Sequence, residues 1–284
     1  MKLQGIQTAL LPISLTADAA DLRQKTLKVG SVGRALAIFR VERVIIYDDS
    51  ETRVKDRDKE RELISTLLRY METPQYLRKN IFPYMEELKY AGLLPPLRTP
   101  HHPLEEEKDE KGDFREAFVE ESGERGSRLN IGLNEEGVFD GQLKEGSRIT
   151  VELGRSLGEG KRKVRPVKKG KIREYWGYEV EYGGSLSQSL SKVKADYVIG
   201  TSRKGQNLYE ALKGMKTNNN VAVAVVFGGP YQGLPEICNR QSADPKALFD
   251  VMVNTIPNQG VATVRTEEAL TASLALLNVL IGRN

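Results

Sequence analysis

At 284 residues the chain has room for about two domains and for a core that hides roughly three quarters of its unfolded surface. Lys plus Arg number 43 and Asp plus Glu 39, a net charge of +4, so any basic footprint for nucleic acid has to be local. The single cysteine, Cys238, excludes an internal disulfide, and two adjacent histidines, His101 and His102, exclude a three-histidine metal site. Residues 1–15 hold one base, Lys2, and are interrupted by Pro12, which is not a signal-peptide pattern. No run approaches 18 uncharged apolar residues. A soluble cytoplasmic protein with no metal and no membrane partner is expected.

In chain order, Ile6–Leu15 is an apolar run that predicts a buried strand. Asp18 or Asp21 can cap a helix reaching about Phe39. Arg43–Asp48 predicts a second strand, and Lys55–Met71 a helix with Leu63, Ile64, Leu67, Leu68 and Met71 on one stripe. Prolines 74, 83, 95 and 96 cut the next segment into short pieces. Composition shifts near Leu97, and residues 105–124 carry ten acids. Short β segments with glycine turns follow: Ala117–Val119, Arg128–Leu133, Gly137–Phe139, Arg148–Leu153 and Ile172–Val180. Their spacing predicts a small barrel. From about Ser185 an α/β rhythm returns, with strands at Tyr197–Ile199, Val221–Phe227 and Asp250–Val253 and helices at Asn207–Lys213 and Glu267–Ile281. The expected architecture is an α/β parallel-sheet domain over 1–97 and 184–284, interrupted by a β-barrel over 98–183.

Three loops follow the carboxyl ends of the last strands, where open α/β sheets bind ligands. Gly200-Thr201-Ser202-Arg203-Lys204-Gly205 falls short of a phosphate loop, because Gln206 and Asn207 stand where Lys and Ser/Thr are required. Gly228-Gly229-Pro230-Tyr231-Gln232-Gly233 is not a dinucleotide fingerprint. Asn254-Thr255-Ile256-Pro257-Asn258-Gln259-Gly260 completes the set. Together they can offer backbone N–H and C=O groups to a small polar ligand, and a β-branched side chain at Gly229 is expected to fill ligand space.

These segments resemble the SPOUT superfamily of RNA methyltransferases. Val29-Gly30-Ser31-Val32-Gly33-Arg34-Ala35 with Phe39–Ile45 is similar to its first motif, Val225–Leu234 to its second and Ile256–Ala269 to its third. Ala91–Pro103 is similar to the subgroup with an OB-like barrel nested in the domain. The resemblance implies a C-terminal trefoil knot, S-adenosyl-L-methionine as methyl donor, a homodimer and ribosomal RNA as substrate, methylated at uridine N3. Lys28, Pro230 and Thr263-Val264-Arg265 depart from the ribose-methylating branch, which favours a base atom. The implied cofactor residues are Thr201, Ser202, Gly228, Gly229, Asn254, Ile256, Gly260, Val261, Ala262 and Thr263. Arg34 and Arg265 are the catalytic candidates, each able to stabilise a developing uracil oxyanion without titrating. A structural ion pair with Glu267 or Glu268 is the alternative for either arginine. Arg34 is expected to act across the dimer.

Residues 161–173 hold eight bases and no acid: Lys161, Arg162, Lys163, Arg165, Lys168, Lys169, Lys171 and Arg173. With Tyr175, Trp176 and Tyr178 following, they compose an RNA-binding face. A solvated loop or a nuclear-targeting run are the alternatives. His101-His102 either accepts the imide proton, its pKa raised by Glu105–Glu107, or is an ordered crossover. Cys238 reads as a packed small hydrophobe. The rival function is a non-catalytic RNA-binding or ribosome-assembly factor with a vestigial pocket.

Overall fold

The computed structural model describes residues 5–281 except 105, 106, 108, 214 and 216–220. The strands are β1 (Gly5–Pro12), β2 (Arg43–Asp48), β3 (Phe114–Gly123), β4 (Gly126–Asn130), β5 (Glu136–Phe139), β6 (Arg148–Gly158), β7 (Lys161–Pro166), β8 (Glu179–Ser185), β9 (Tyr197–Asn207), β10 (Ala222–Val226) and β11 (Val251–Asn254). The α-helices are α1 (Leu22–Ile38), α2 (Arg57–Glu72), α3 (Arg78–Ile81), α4 (Leu186–Ser191), α5 (Leu208–Lys213), α6 (Leu234–Arg240), α7 (Pro245–Leu248) and α8 (Thr266–Ile281). Two compact units result: 1–71 with 86–96 and 177–284, and 72–85 with 97–176.

The larger unit is built on a six-stranded sheet in the order β11-β9-β10-β1-β2-β8, parallel at every pairing. Parallel strands covered on both faces need continuous apolar sequence. Val44, Ile45, Ile46 and Tyr47 of β2 and Val223–Val226 of β10 meet that need and are fully buried. Leu10, Ile45, Val226, Leu234, Ile237 and Cys238 share one core cluster, so Cys238 packs as a small apolar group. Of the two candidate caps for α1, Asp21 takes the role by accepting from the Gln24 N–H at 2.8 Å. Asp18 instead pairs with the buried Lys28 ammonium at 2.5 Å, and Glu267 of α8 pairs with the same ammonium at 3.1 Å.

The smaller unit contains a closed five-stranded barrel in the order β3-β4-β5-β7-β6, antiparallel except for the β5–β7 pair. Its core is Ala117, Val119, Leu129, Ile131, Val151, Leu153 and Val164. The fifth barrel strand is the basic run itself. Ile172–Val180 does not supply it. The chain turns instead at Lys169–Lys171 and enters β8, which pairs with β2 in the parallel sheet. The reason is alternation: β7 needs only Val164 on the inner face, while Lys161, Lys163 and Arg165 point outward, and a single apolar residue gives no strand signal. Among the described residues, no helix is long and apolar enough to cross a membrane.

Candidate functional site

A cleft of about 360 Å³ opens in the larger unit where β9, β10 and β11 end. Each wall is one loop. The first is an excursion of β9. Gly200 pairs with Met252 and Gln206 with Val253, so residues 201–205 loop out between adjacent rungs. Gly205 closes the excursion against the β11 backbone, where a Cβ would run into the Val253 carbonyl carbon. Thr201 Oγ1 donates to the Val226 carbonyl at 2.9 Å, and Asn254 Nδ2 donates to the Arg203 carbonyl at 2.9 Å.

The second loop, 227–233, turns on a hydrogen bond from the Gly229 N–H to the Gln232 carbonyl at 2.8 Å. A Cβ on Gly228 would sit 2.9 Å from that carbonyl oxygen. Tyr47 Oη donates to the Phe227 carbonyl at 2.6 Å, tying the loop to β2. The third loop leaves β11 at Asn254, whose Oδ1 accepts from the Ile256 N–H at 3.0 Å. It joins the first at Ala262, whose carbonyl accepts from Arg203 Nη1 at 3.0 Å, and the second at Thr266, whose Oγ1 donates to the Gly228 carbonyl at 3.1 Å.

Among the expected cofactor residues, Thr201, Ser202, Gly228, Gly229, Asn254, Ile256, Ala262 and Thr263 line this cleft, whereas Gly260 and Val261 do not. Arg34 and Arg265 are not among its lining residues either. Arg34 donates from Nη1 to the Pro96 carbonyl at 3.0 Å. At Arg265, the backbone N–H donates to Glu268 Oε2 at 2.9 Å. Glu267 pairs with the Lys28 ammonium at 3.1 Å.

Beneath the second loop lies a polar floor that no sequence signal announced. Ser14 Oγ donates to Asp49 Oδ2 at 2.6 Å, and Asp49 is wholly buried, with Oδ1 unpartnered among the described residues. Glu51, also buried, accepts from Gln232 Nε2 and from the Arg53 N–H, which leaves Gln232 Oε1 a buried acceptor without a donor among the described residues. A Cβ on Gly229 would strike Ser14 Oγ and stand 3.1 Å from Asp49 Oδ2. Valine there therefore breaks the floor rather than filling ligand space, which corrects the expectation for that residue.

Burial, with a smaller push from Asp48, lifts the Asp49 pKa to about 6 against the Ser14 hydrogen bond. The raised value means that the fold disfavours the carboxylate, by an amount that grows between pH 3.8 and about 6 and is full above that. Asp49→Asn retains the acceptor for Ser14 and is expected to stabilise the protein at pH 8 by about 3 kcal/mol. Denaturation midpoints at pH 8 and pH 4 check this, because the gain should vanish at the lower value.

The basic run is more committed than its composition suggests. Arg162 pairs with Glu135, Lys163 with Asp140 at 2.7 Å and Arg165 with Glu152. Lys161, Lys168, Lys171 and Arg173 have no side-chain partner among the described residues. The aromatics that follow are core rather than face: Tyr175, Trp176 and Tyr178 are all buried. Trp176 Nε1 donates to Glu116 Oε1 at 2.6 Å and Tyr178 Oη to the Leu68 carbonyl at 3.1 Å.

His101 and His102 place Nε2 3.0 and 2.7 Å from the Glu72 carbonyl, to which both donate. Burial, then the neighbouring His101, pushes the His102 pKa down to about 3, opposite to the expected rise. Glu105 and Glu106, invoked for that rise, lie outside the described residues. Glu107 turns its carboxylate to the Leu104 N–H.

An all-parallel sheet with a glycine-lined cleft at its strand ends defines an α/β protein. Residues 8–277 match the family described as "Putative RNA methyltransferase", and the chain belongs to that family. It is 35% identical over 294 residues to the human 28S rRNA (uridine-N(3))-methyltransferase, covering 94% of this chain and 76% of that protein. The Drosophila melanogaster protein of the same name is 34% identical over 94% of this chain, which spans 60% of its length. An uncharacterized protein of Halobacterium salinarum is 35% identical, covering 96% of this chain and 99% of its own.

Proposed function

We propose that the protein methylates N3 of a uridine in ribosomal RNA, with S-adenosylmethionine as donor. The observation that carries the reading is the three-loop cleft, joined to the names of the human and fly relatives. The cleft's chemistry suits this donor. Ile256 and Val264 offer apolar surface for an adenine ring, while the buried Gln232 Oε1 calls for a donor such as an amino group. We assign the holding of the cofactor to the three loops, through Thr201, Ser202, Gly228, Gly229, Asn254, Ile256, Ala262 and Thr263. Gly260 and Val261 keep a supporting place in the third loop.

When bound, this cofactor supplies an electrophilic methyl on sulfur. The chain has to position the uracil in line and stabilise the oxyanion formed as the imide loses its proton. Arg34 and Arg265 take that role in our reading, Arg34 from a second copy of the chain. The apolar rims of α1 and α8 support a homodimer: Leu27, Ile38, Leu276 and Val279 are large, apolar and exposed in the single chain. We further read the sheet domain as a SPOUT fold with a C-terminal knot. The barrel has the strand order of an OB-fold, β5 and β7 parallel, and serves RNA through Lys161, Arg162, Lys163, Arg165, Lys168, Lys169, Lys171 and Arg173. The compartment is the cytoplasm, in keeping with a single buried cysteine.

Calorimetry with S-adenosylmethionine and mass mapping of ribosomal RNA from a deletion strain test the function. Heat of binding and loss of one N3-methyluridine support it, while no heat overturns it. The dimer is tested by mixing Arg34→Ala protein with a variant whose cleft is filled at Ala269. If Arg34 acts in trans, one of the two pockets in each heterodimer carries neither defect, and a fully exchanged 1:1 mixture recovers about a quarter of normal activity. A mixture that exchanges subunits and stays inactive places Arg34 within its own chain.

For the barrel, replacing Lys161, Lys168, Lys171 and Arg173 with alanine is expected to weaken RNA binding more than replacing the paired Arg162, Lys163 and Arg165. Each lost phosphate contact should flatten the log–log salt slope by about 0.7 on single-stranded RNA. Filter binding over a salt series reads both effects.

A further inference from the structure

The rim of the cleft carries more positive charge than the single carboxylate of the methyl donor requires. S-adenosylmethionine is a cation at sulfur and has no phosphate, yet two bases, Arg203 and Lys204, line the same cleft. They sit on the excursion of β9, whose shape is set by backbone: Gly205 is pressed on Val253, and the Arg203 carbonyl is held by Asn254. Arg203 spends Nη1 on the Ala262 carbonyl and leaves the rest of an exposed guanidinium free among the described residues. Lys204 stands 3.7 Å from Glu236, with both side chains more than half exposed, a pairing too weak to hold the ammonium.

Also lining the cleft is Tyr231 of the second loop. The Arg53 guanidinium lies 4.0 Å from its ring centroid and covers one face. The residue is still 45% exposed, so Arg53 does not enclose it. An exposed tyrosine backed by a cation, beside two further cations, matches how single-stranded nucleic acid is held: a ring stacks on a base and bases of the protein meet phosphates. A base methylated at its pairing edge has to leave its helix before reaction, and it needs such a surface to replace its lost stacking.

We propose that this rim is the target-nucleotide subsite: Tyr231 stacks on the uracil, and Arg203 and Lys204 hold the adjoining phosphates. The proposal rests on the methyltransferase reading and adds the residues that seat the substrate. Glu51 and the polar floor position the second loop from below, since Glu51 fixes Gln232, next to Tyr231, and the backbone N–H of Arg53, which covers its ring.

The probe is an oligouridylate decamer with one 4-thiouridine, photo-cross-linked to the full chain and mapped by mass spectrometry, with calorimetry on S-adenosylmethionine in parallel. Adducts are expected in loop 227–233. Tyr231→Ala should lower their yield on the order of ten-fold, while Tyr231→Phe keeps it. Arg203→Ala with Lys204→Ala should flatten the salt slope for the decamer by about 1.4, two phosphate contacts at 0.7 each. Cofactor heat should be unchanged in both Tyr231 variants. Adducts absent or confined to the barrel, or a Tyr231→Ala yield equal to wild type, overturn the subsite. Loss of cofactor heat in Tyr231→Ala overturns it as well, because the ring would then serve the cofactor. Absence of cofactor heat in the wild type is a different failure, that of the methyltransferase reading itself.

Discussion

Replacing Ala269 with tryptophan is expected to weaken methyl-donor binding by on the order of 100-fold or more while leaving the fold in place. Ala269 lies in the first turns of α8, half-buried, with its methyl group on the wall of the cleft. The opposing walls are loops whose hydrogen bonds do not involve this side chain. An indole grown from that position occupies the space between α8 and the glycine loops, and the rest of it faces solvent. This makes the variant a cleaner probe than Gly229→Val, where the added carbons meet Ser14 and Asp49 in a closed floor. Gly228 is no better, because its Cβ would press on the Gln232 carbonyl and the Gly233 Cα. Calorimetry with S-adenosylmethionine, with far-ultraviolet circular dichroism as the check on folding, decides the matter. A folded Ala269→Trp protein with wild-type affinity would remove this cleft from the cofactor site.

The sequence made the parallel sheet legible because buried parallel strands are written as uninterrupted β-branched and apolar runs. Val44–Tyr47 and Val221–Phe227 have that form, and Val44–Tyr47 and Val223–Phe227 are buried on both faces. The three cleft loops were legible for a related reason, since each follows such a strand and carries the glycines or asparagines that sharp turns require. What stayed hidden is of two kinds. The barrel strand β7 conceals its inner face in one valine among charges, and its cations are partnered by Glu135, Asp140 and Glu152, residues 13 to 27 positions away. Pairing across strands depends on register, which composition does not carry. The floor of Ser14, Asp49 and Glu51 is the second kind. Asp49 follows a strand, where an acid ordinarily ends in solvent, and only the packing of loop 227–233 over it turns it into a buried group. Tyr175, Trp176 and Tyr178 illustrate the same limit in reverse: aromatic residues beside a basic run look like a binding face until burial is known.

Removing Arg148 should produce the largest loss of stability available from one side chain in the smaller unit. Its Nη1 donates to Glu72 Oε2 and its Nε to Glu116 Oε2, each at 2.6 Å. Both carboxylates are buried, at 6% and 1% exposure. Trp176 Nε1 and Thr150 Oγ1 complete the shell of Glu116, and His101 lies 3.2 Å from Glu72. Burial alone would raise the Glu72 pKa, but Arg148, then His101, outweighs it and holds the group at about 2. A carboxyl depressed from 4.5 to about 2 contributes stability that is full above pH 4.5 and is lost as pH falls toward 2. In Arg148→Ala the balance reverses: two buried carboxylates face each other without their cation, and burial pushes both up. The expected loss at pH 7 is about 3–5 kcal/mol, the scale for stripping one partner from a buried pair. It should shrink as pH falls from 7 to 4, because protonation then relieves the variant while leaving the wild type charged. Trp176 is the only tryptophan in the chain, so its fluorescence in urea reports on this unit alone. A deficit that stays constant from pH 7 to pH 4 would mean that Arg148 acts through packing, not charge.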